Sequence, residues 1–280
     1  MFPKLSFTVL AFFCATTSAV VLPRSSAVHL AVSPQCGTLS SGVPADVNVG
    51  LGPLSSYKTI VAFGDSYTNG NCNGPTWVQN LATSIGAKLI NYAVSGTEAD
   101  GNVANTFMTT QKLDPATTLY IVFFGIGDKC CRLIAISATG KTNMNQIAGV
   151  LVYTMLGLTS SQSFAKNILI VDNYGLGKTS PAGDAFKTDL FVSLGTGHRL
   201  YGWNVGFASF KGIWEGVLYG SPGYAAFGYT NPGTCVQSSG STCADPAHTF
   251  YWSPGNPSAA THAIMATYVQ EVLTQCISSS

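Results

Sequence analysis

Short apolar runs along this chain alternate with longer segments in which apolar residues recur at helical spacing. The runs at 59–63, 88–94, 118–124 and 167–171 are bounded by Gly, Asn or Asp, which is typical of buried parallel strands. A fifth strand is predicted within 200–210. Helices are predicted at 76–85, within 97–111, and at 143–158 and 258–275, the last with Ser258 as its N-cap.

This alternation of strands and helices predicts an α/β fold. We expect a three-layer α/β/α sandwich with a flavodoxin-like parallel sheet of about five strands. In such sheets, functional residues gather in the loops at the carboxyl ends of the strands. Ser66, Gly96, Asp128 and Asn173 each follow a predicted strand, so they are expected along one edge of the sheet.

The beginning of the chain differs from the rest. Residues 1–19 have a basic residue, Lys4, then an apolar stretch and small residues at 17–19, which is the pattern of a secretory signal peptide. Residues 20–56 are rich in Ser, Pro and Gly and predict a mobile leader or an extended arm packed on the domain. The domain itself is expected over 57–280. We therefore predict a secreted, extracellular protein without a membrane anchor.

Composition narrows the range of ligands. Only 9% of the residues are charged and the formal net charge is +1, so no basic surface for nucleic acid is expected. A weakly charged chain with many Gly, Ser and Thr suits neutral, polar material outside the cell. No cofactor is expected, and composition makes no prediction about oligomeric state.

The cysteines predict disulfides rather than a metal site. Export would remove Cys14 and leave an odd number, so at least one thiol is expected to stay free or to pair between chains. Cys235 and Cys243 flank a Gly/Ser-rich loop and form the most plausible local bridge. The adjacent Cys130 and Cys131 cannot easily bond to each other. No spacing resembles that of a zinc site.

The candidate chemistry begins at Gly64-Asp65-Ser66, a turn that directly follows the first predicted strand. Alone, this tripeptide is more often a turn or a helix N-cap than a nucleophile. After a strand and before a helix, however, a serine can present its Oγ beside backbone N–H groups that would stabilise an oxyanion.

Several segments together resemble the SGNH (GDSL-type) hydrolases, specifically the fungal secreted branch of acetyl and other carbohydrate esterases. They occur in the family's order over nearly the whole mature chain, which makes the resemblance specific for fold. The segments are 61–68 (VAFGDSYT), 74–78 (GPTWV), 91–96 (NYAVSG), 124–128 (FGIGD), 222–235 and 251–262.

The resemblance implies a serine ester hydrolase with Ser66 as the nucleophile and Gly96 as an oxyanion donor, acting on a small ester or an acetylated carbohydrate. Three expected residues are replaced. Gly127 stands where the family has an oxyanion Asn, Ser253 where it has the catalytic Asp, and Asn256 where it has the catalytic His.

These replacements should impair catalysis. Asn256 cannot accept a proton near neutral pH, so Ser66 would lack its general base. Loss of a triad member can lower the rate by several orders of magnitude, and loss of one oxyanion donor lowers it by roughly 10²–10³-fold. The replacement of the catalytic Asp by Ser253 should affect the rate less, because no imidazole remains to be oriented.

One alternative retains catalysis. Asp245 and His248 form another Asp-x-x-His, and a loop folded over the edge of the sheet could bring His248 to Ser66 as a relocated base with Asp245 as its orienter. The simpler interpretation is a histidine in an exposed loop near the bridge at Cys235. His262 is expected on the closing helix in a packing role.

Three functions remain open on the sequence. The protein is a catalytically degenerate SGNH-like protein that binds a ligand, an ester hydrolase of weak or unusual activity that uses Ser66, or a secreted protein with a purely structural role. Aromatic residues cluster at 201–252. Most are expected in the core, and any exposed near the edge of the sheet would offer stacking surfaces for sugar rings.

Overall fold

A computed structural model describes residues 27–40, 44–70, 72–95, 113–123, 152, 155–160, 164–179, 181–237 and 239–278. The strands of the main sheet are β1 (Val47–Val49), β2 (Thr59–Gly64), β3 (Lys88–Asn91), β4 (Thr118–Phe123), β5 (Asn167–Asp172) and β6 (Asn204–Ser209). A small second sheet holds β7 (Asn231–Thr234), β8 (Thr249–Ser253) and β9 (Asn256–Pro257). The α-helices are α1 (Ser66–Asn69), α2 (Trp77–Ile85), α3 (Pro181–Tyr201), α4 (Lys211–Leu218) and α5 (Ala259–Gln275).

The main sheet has the strand order β3-β2-β4-β5-β6-β1. Its first five strands are parallel, and β1 joins the edge antiparallel to β6. The predicted parallel α/β sheet is therefore confirmed, with the order of the flavodoxin-like class. In the small sheet, β7 and β8 are parallel, and β9 pairs antiparallel with β8.

The core forms two layers because successive strand residues point to opposite faces. Ile60 and Ala62 of β2 pack on the side that holds α2, α4 and α5. Val61 and Phe63 of the same strand pack on the opposite side against α3. Every residue of β4 and β5 is buried, which explains why these strands appear in the sequence as uninterrupted apolar runs.

Local signals account for the helix ends. Thr76 and Gln79 form a reciprocal capping box at the start of α2, and Gly86 ends that helix at a φ of 67°. The predicted N-cap of the last helix is confirmed, since the Ser258 side chain accepts a hydrogen bond from the Thr261 N–H.

The described part of the N-terminal arm packs on the domain. β1 extends the sheet, and Cys36 forms a disulfide with Cys276 at the end of α5. The predicted bridge between Cys235 and Cys243 is confirmed. Cys72 is free, and the Cys130–Cys131 pair lies outside the described residues.

Candidate active site

The turn at the end of β2 presents Ser66. Asp65 caps the short helix α1, and its buried carboxylate accepts the Tyr67 N–H at 3.1 Å. Ser66 follows as the first residue of α1 and is half-buried. The capping role thus belongs to Asp65, which leaves the side chain of Ser66 at the carboxyl edge of the sheet.

Gly64 is required by the packing of this turn. A Cβ at this position would lie 2.6 Å from the carbonyl oxygen of Phe123 on β4 and 2.7 Å from Thr68 Oγ1. The close approach of β4 to the turn therefore excludes any larger residue directly before Asp65 and Ser66.

The loop after β3 runs beside this turn. Asn91 donates its amide to the Thr68 carbonyl at 2.9 Å, and its own oxygen accepts the Ala93 N–H at 3.0 Å. The Val94 N–H donates to the Gly64 carbonyl, and the side-chain amide of Asn69 lies 3.2 Å from Ser95 Oγ. The chain directly before Gly96 is thereby held against α1. Gly96 itself, like Gly127 and Asp128, lies outside the described residues.

The loop between β8 and β9 closes over the same turn. The Tyr67 hydroxyl donates to the Gly255 carbonyl at 2.7 Å, and β9 packs against α1. Asn256 Nδ2 donates to Ser253 Oγ at 2.9 Å. The structure thus brings Ser253 and Asn256 to the helix that begins at Ser66, and joins these two side chains to each other.

Asp245 and His248 form a pair elsewhere. His248 Nδ1 lies 2.9 Å from both carboxylate oxygens of Asp245, and this hydrogen bond lowers the pKa of the Asp245 carboxyl. Both residues precede β8, whereas Ser253 ends it. The five residues of β8 extend about 13 Å at the usual rise of a strand. The pair therefore lies at the end of β8 opposite the loop that contacts α1.

His262 is part of the core. Its Nδ1 accepts the Trp77 N–H at 3.2 Å and so caps the start of α2. Burial lowers its pKa to about 3, which keeps the imidazole neutral across the ordinary pH range. The predicted packing role is confirmed.

Aromatic side chains pack beside the turn that presents Ser66. The Tyr67 ring stacks on Trp214 of α4 with centroids 5.9 Å apart, and Trp214 Nε1 donates to the Tyr251 hydroxyl at 2.8 Å. Tyr67 and Trp214 are buried, in agreement with the core role expected for most aromatic residues of this region. The sequence did not predict that Tyr67 supports the turn through Trp214 and Gly255, because no local pattern predicts contacts between residues so distant in sequence.

Asn173 follows β5 at the same edge of the sheet. It is fully buried, and neither its amide nitrogen nor its amide oxygen has a hydrogen-bond partner.

Over the part of the chain that the structure describes, no three His, Cys, Asp or Glu residues are placed to hold a metal ion. Among those residues, no helix combines the length and apolar character needed to cross a bilayer.

Part of the chain matches a known protein family. Residues 60–152 match the family of GDSL-like lipases and acylhydrolases. The GDSL-like segment begins within β2 and includes Ser66. No curated protein matches the sequence.

Solved structures align with most of this chain. A catalytic mutant of an acetylxylan esterase from Geobacillus stearothermophilus aligns with a TM-score of 0.50 at 15% identity, covering 80% of this chain and 97% of that chain. LAE5, an alpha/beta hydrolase enzyme from the metagenome of Lake Arreo, aligns with a TM-score of 0.49 at 14% identity, covering 79% and 97%. At such identities the likeness concerns the fold alone.

Proposed function

We propose that the whole domain is an SGNH-type hydrolase homologue that binds an ester or acetylated carbohydrate without efficient hydrolysis. The proposed binding place is the space around Ser66 between α1, the loop after β3 and the loop between β8 and β9, which we call the Ser66 cleft. The observation that carries this proposal is the hydrogen bond from Asn256 to Ser253 beside α1. An amide and a hydroxyl occupy the places where the family resemblance expects a histidine and an aspartate. Neither can take the proton of Ser66 near neutral pH.

The surroundings of His262 and His248 support a site without a general base. His262 Nδ1 already accepts a backbone N–H, and this ring is buried and neutral. His248 precedes β8, at the end opposite Ser253. The cleft therefore keeps the nucleophile position and its supporting turn, which favours ligand binding over turnover.

Export from the cell is part of the proposal. The first 19 residues have the pattern of a signal peptide. Two disulfides, Cys36–Cys276 and Cys235–Cys243, suit an oxidising compartment.

The proposal is tested by measuring binding and turnover on one ligand. Acetylated xylo-oligosaccharide is titrated calorimetrically into the mature protein and into Ser66→Trp, which fills the cleft, while acetate release is followed in the same samples. We expect saturable binding that weakens at least about tenfold in the variant, a change of about 1.4 kcal/mol, with acetate release equal to that in buffer. Absence of binding would remove the proposal.

Ester hydrolysis by Ser66 with a relocated base is the second candidate function. The pairing of His248 with Asp245 at 2.9 Å favours it, since this arrangement resembles an oriented general base. Acetate release that is lost in Ser66→Ala and also in His248→Ala would establish this alternative. Loss in Ser66→Ala alone would indicate an esterase with a different base.

A further inference from the structure

A cavity of about 410 Å³ opens at the edge of the main sheet beyond the Ser66 cleft. Its walls come from the residues before β1, the end of β6, and the first turns of α3 and α4. We call it the β6 pocket, and it is lined by Asp46, Asp184, Lys187, Ser209, Lys211 and Gly212, among others. It lies at the carboxyl ends of β5 and β6, the same edge at which Ser66 follows β2.

Both lysines of this pocket are paired with carboxylates of the protein. Lys187 is only 7% exposed, and its ammonium lies 3.3 Å from the buried carboxylate of Asp172. Lys211 Nζ pairs with Glu215 at 2.7 Å. An anionic ligand would have to compete with these carboxylates for the lysines, so the pocket favours a neutral ligand over an anionic one.

Asp46 is a rigid part of the wall. It is 2% exposed and accepts hydrogen bonds from the Tyr268 hydroxyl at 2.6 Å and from the N–H groups of Ser209 and Gln35 at 2.8 Å. These bonds hold β1, β6 and α5 together around the pocket. The cavity is therefore shaped by buried, hydrogen-bonded groups rather than by mobile surface side chains.

Other polar groups on the wall remain available to a ligand. Lys211 uses one ammonium proton on Glu215 and has further donors to offer. The Asp184 side chain is exposed at the start of α3 and offers carboxylate acceptors. Donors and acceptors thus stand close together, which suits sugar hydroxyls, because each hydroxyl both donates and accepts.

We propose that the β6 pocket is a second carbohydrate subsite, which binds a neutral sugar unit of the same glycan chain that occupies the Ser66 cleft. Three strand spacings separate β2 from β6 in the order β2-β4-β5-β6, a distance of about 14 Å. A short oligosaccharide spans this distance. The inference deepens the proposed function and rests on it for the shared ligand.

Glycines on two helices provide a matched pair of variants. A Cβ at Gly212 would meet nothing closer than the Tyr268 hydroxyl at 3.8 Å, so Gly212→Phe can fill the β6 pocket. A Cβ at Gly195 would meet nothing closer than Leu39 Cβ, also at 3.8 Å. Gly195 lines a different cavity, of about 230 Å³, between α3 and the N-terminal arm. Gly195→Phe is therefore the control, since both changes replace a helical glycine by the same bulky residue.

Calorimetric titration with xylohexaose, cellohexaose and chitohexaose tests the proposal on the mature protein. At least one hexasaccharide should bind. Gly212→Phe should lower its affinity at least about tenfold, or about 1.4 kcal/mol, and Gly195→Phe should leave it within about twofold. Asp184→Ala should also lower the affinity for this hexasaccharide. Because it only truncates an exposed side chain, it tests the pocket even if Gly212→Phe misfolds. Circular dichroism checks the fold of each variant.

The cleft variant Ser66→Trp separates this inference from the proposed function. If Ser66→Trp weakens binding while Gly212→Phe and Asp184→Ala do not, the subsite is refuted and the cleft proposal stands. If the pocket variants weaken binding and Ser66→Trp does not, the pocket binds sugar but the cleft proposal fails. If no hexasaccharide binds to the mature protein, the subsite is refuted.

Discussion

Single residues decide whether the Ser66 turn can react. Asp65 caps α1, and Tyr67 stacks on Trp214 and donates a hydrogen bond to the Gly255 carbonyl. Ser66 is therefore well positioned by its neighbours. Under the proposed function Ser66 has no proton acceptor, because Asn256 presents an amide that is bonded to Ser253.

The buried His262 side chain should make the stability of the fold depend on pH. Burial lowers its pKa to about 3, whereas the unfolded chain has the ordinary value of 6.5. The folded state thus binds fewer protons, so the contribution of His262 to stability is present above pH 6.5 and is lost as the pH falls towards 3. The loss approaches about 1.4 kcal/mol per pH unit.

Urea unfolding of the wild type and of His262→Gln from pH 7 to pH 4 measures this effect. The introduced glutamine can still accept the Trp77 N–H but does not titrate, so the stability difference between the two proteins should shift in favour of the variant as the pH falls. A difference that stays constant with pH would contradict a buried neutral histidine.

At the scale of elements, β8 and β9 bring the closing loop to the active-site turn. Tyr67 bonds to Gly255 and β9 packs against α1, so residues 253 and 256 lie beside the helix that begins at Ser66. Under the proposed function, these two residues replace the Asp and the His that would serve Ser66. The Asn256–Ser253 hydrogen bond indicates that the two side chains already face each other.

Restoring the expected residues should therefore restore chemistry. The double variant Ser253→Asp/Asn256→His should raise the rate of p-nitrophenyl acetate hydrolysis by at least about 100-fold, the lower range of general acid–base catalysis. Adding Ser66→Ala to this variant should abolish the gain. A folded double variant that hydrolyses no faster than the wild type would show that the missing base does not limit the reaction.

The sequence predicted the elements that carry strong local signals. The strands β2, β4, β5 and β6 were found because they are apolar runs between polar residues, and α5 because Ser258 caps it. The helix α3 was missed because its residues, which include three glycines, show no clear apolar stripe. β1 was missed because three residues inside a Ser/Pro/Gly-rich segment carry no period.

Side-chain arrangements were less predictable than elements. The Ser66 turn follows from local residues, but the β6 pocket depends on Asp46 meeting Tyr268 and Ser209, which are distant in sequence. No local sequence pattern predicts contacts between residues so far apart in the chain. The same holds for Cys36 and Cys276, since cysteine counts do not reveal which thiols pair.

For the whole molecule, the Cys36–Cys276 disulfide joins the N-terminal arm to the last helix across a sequence separation of 240 residues. The bridge between Cys235 and Cys243 spans a separation of only 8 residues. A longer closed loop restricts the unfolded chain more, so the long bridge should stabilise the fold by about 5.5 kcal/mol and the short one by about 2.5 kcal/mol in the chain-entropy model.

Guanidinium unfolding of the two double variants measures this difference. Cys36→Ala/Cys276→Ala should lose roughly twice the free energy of unfolding that Cys235→Ala/Cys243→Ala loses. Equal losses would mean that the arm contributes little beyond local contacts to the stability of the domain.

Under the proposed function, the whole protein binds its ligand on an SGNH-type fold that lacks the catalytic base. Hydrolysis of p-nitrophenyl acetate by the purified mature protein and by Ser66→Ala, from pH 5 to pH 9, tests it most directly. Both proteins should stay at the buffer rate across this range. A wild-type rate far above that of Ser66→Ala would contradict it and would make this protein an active esterase.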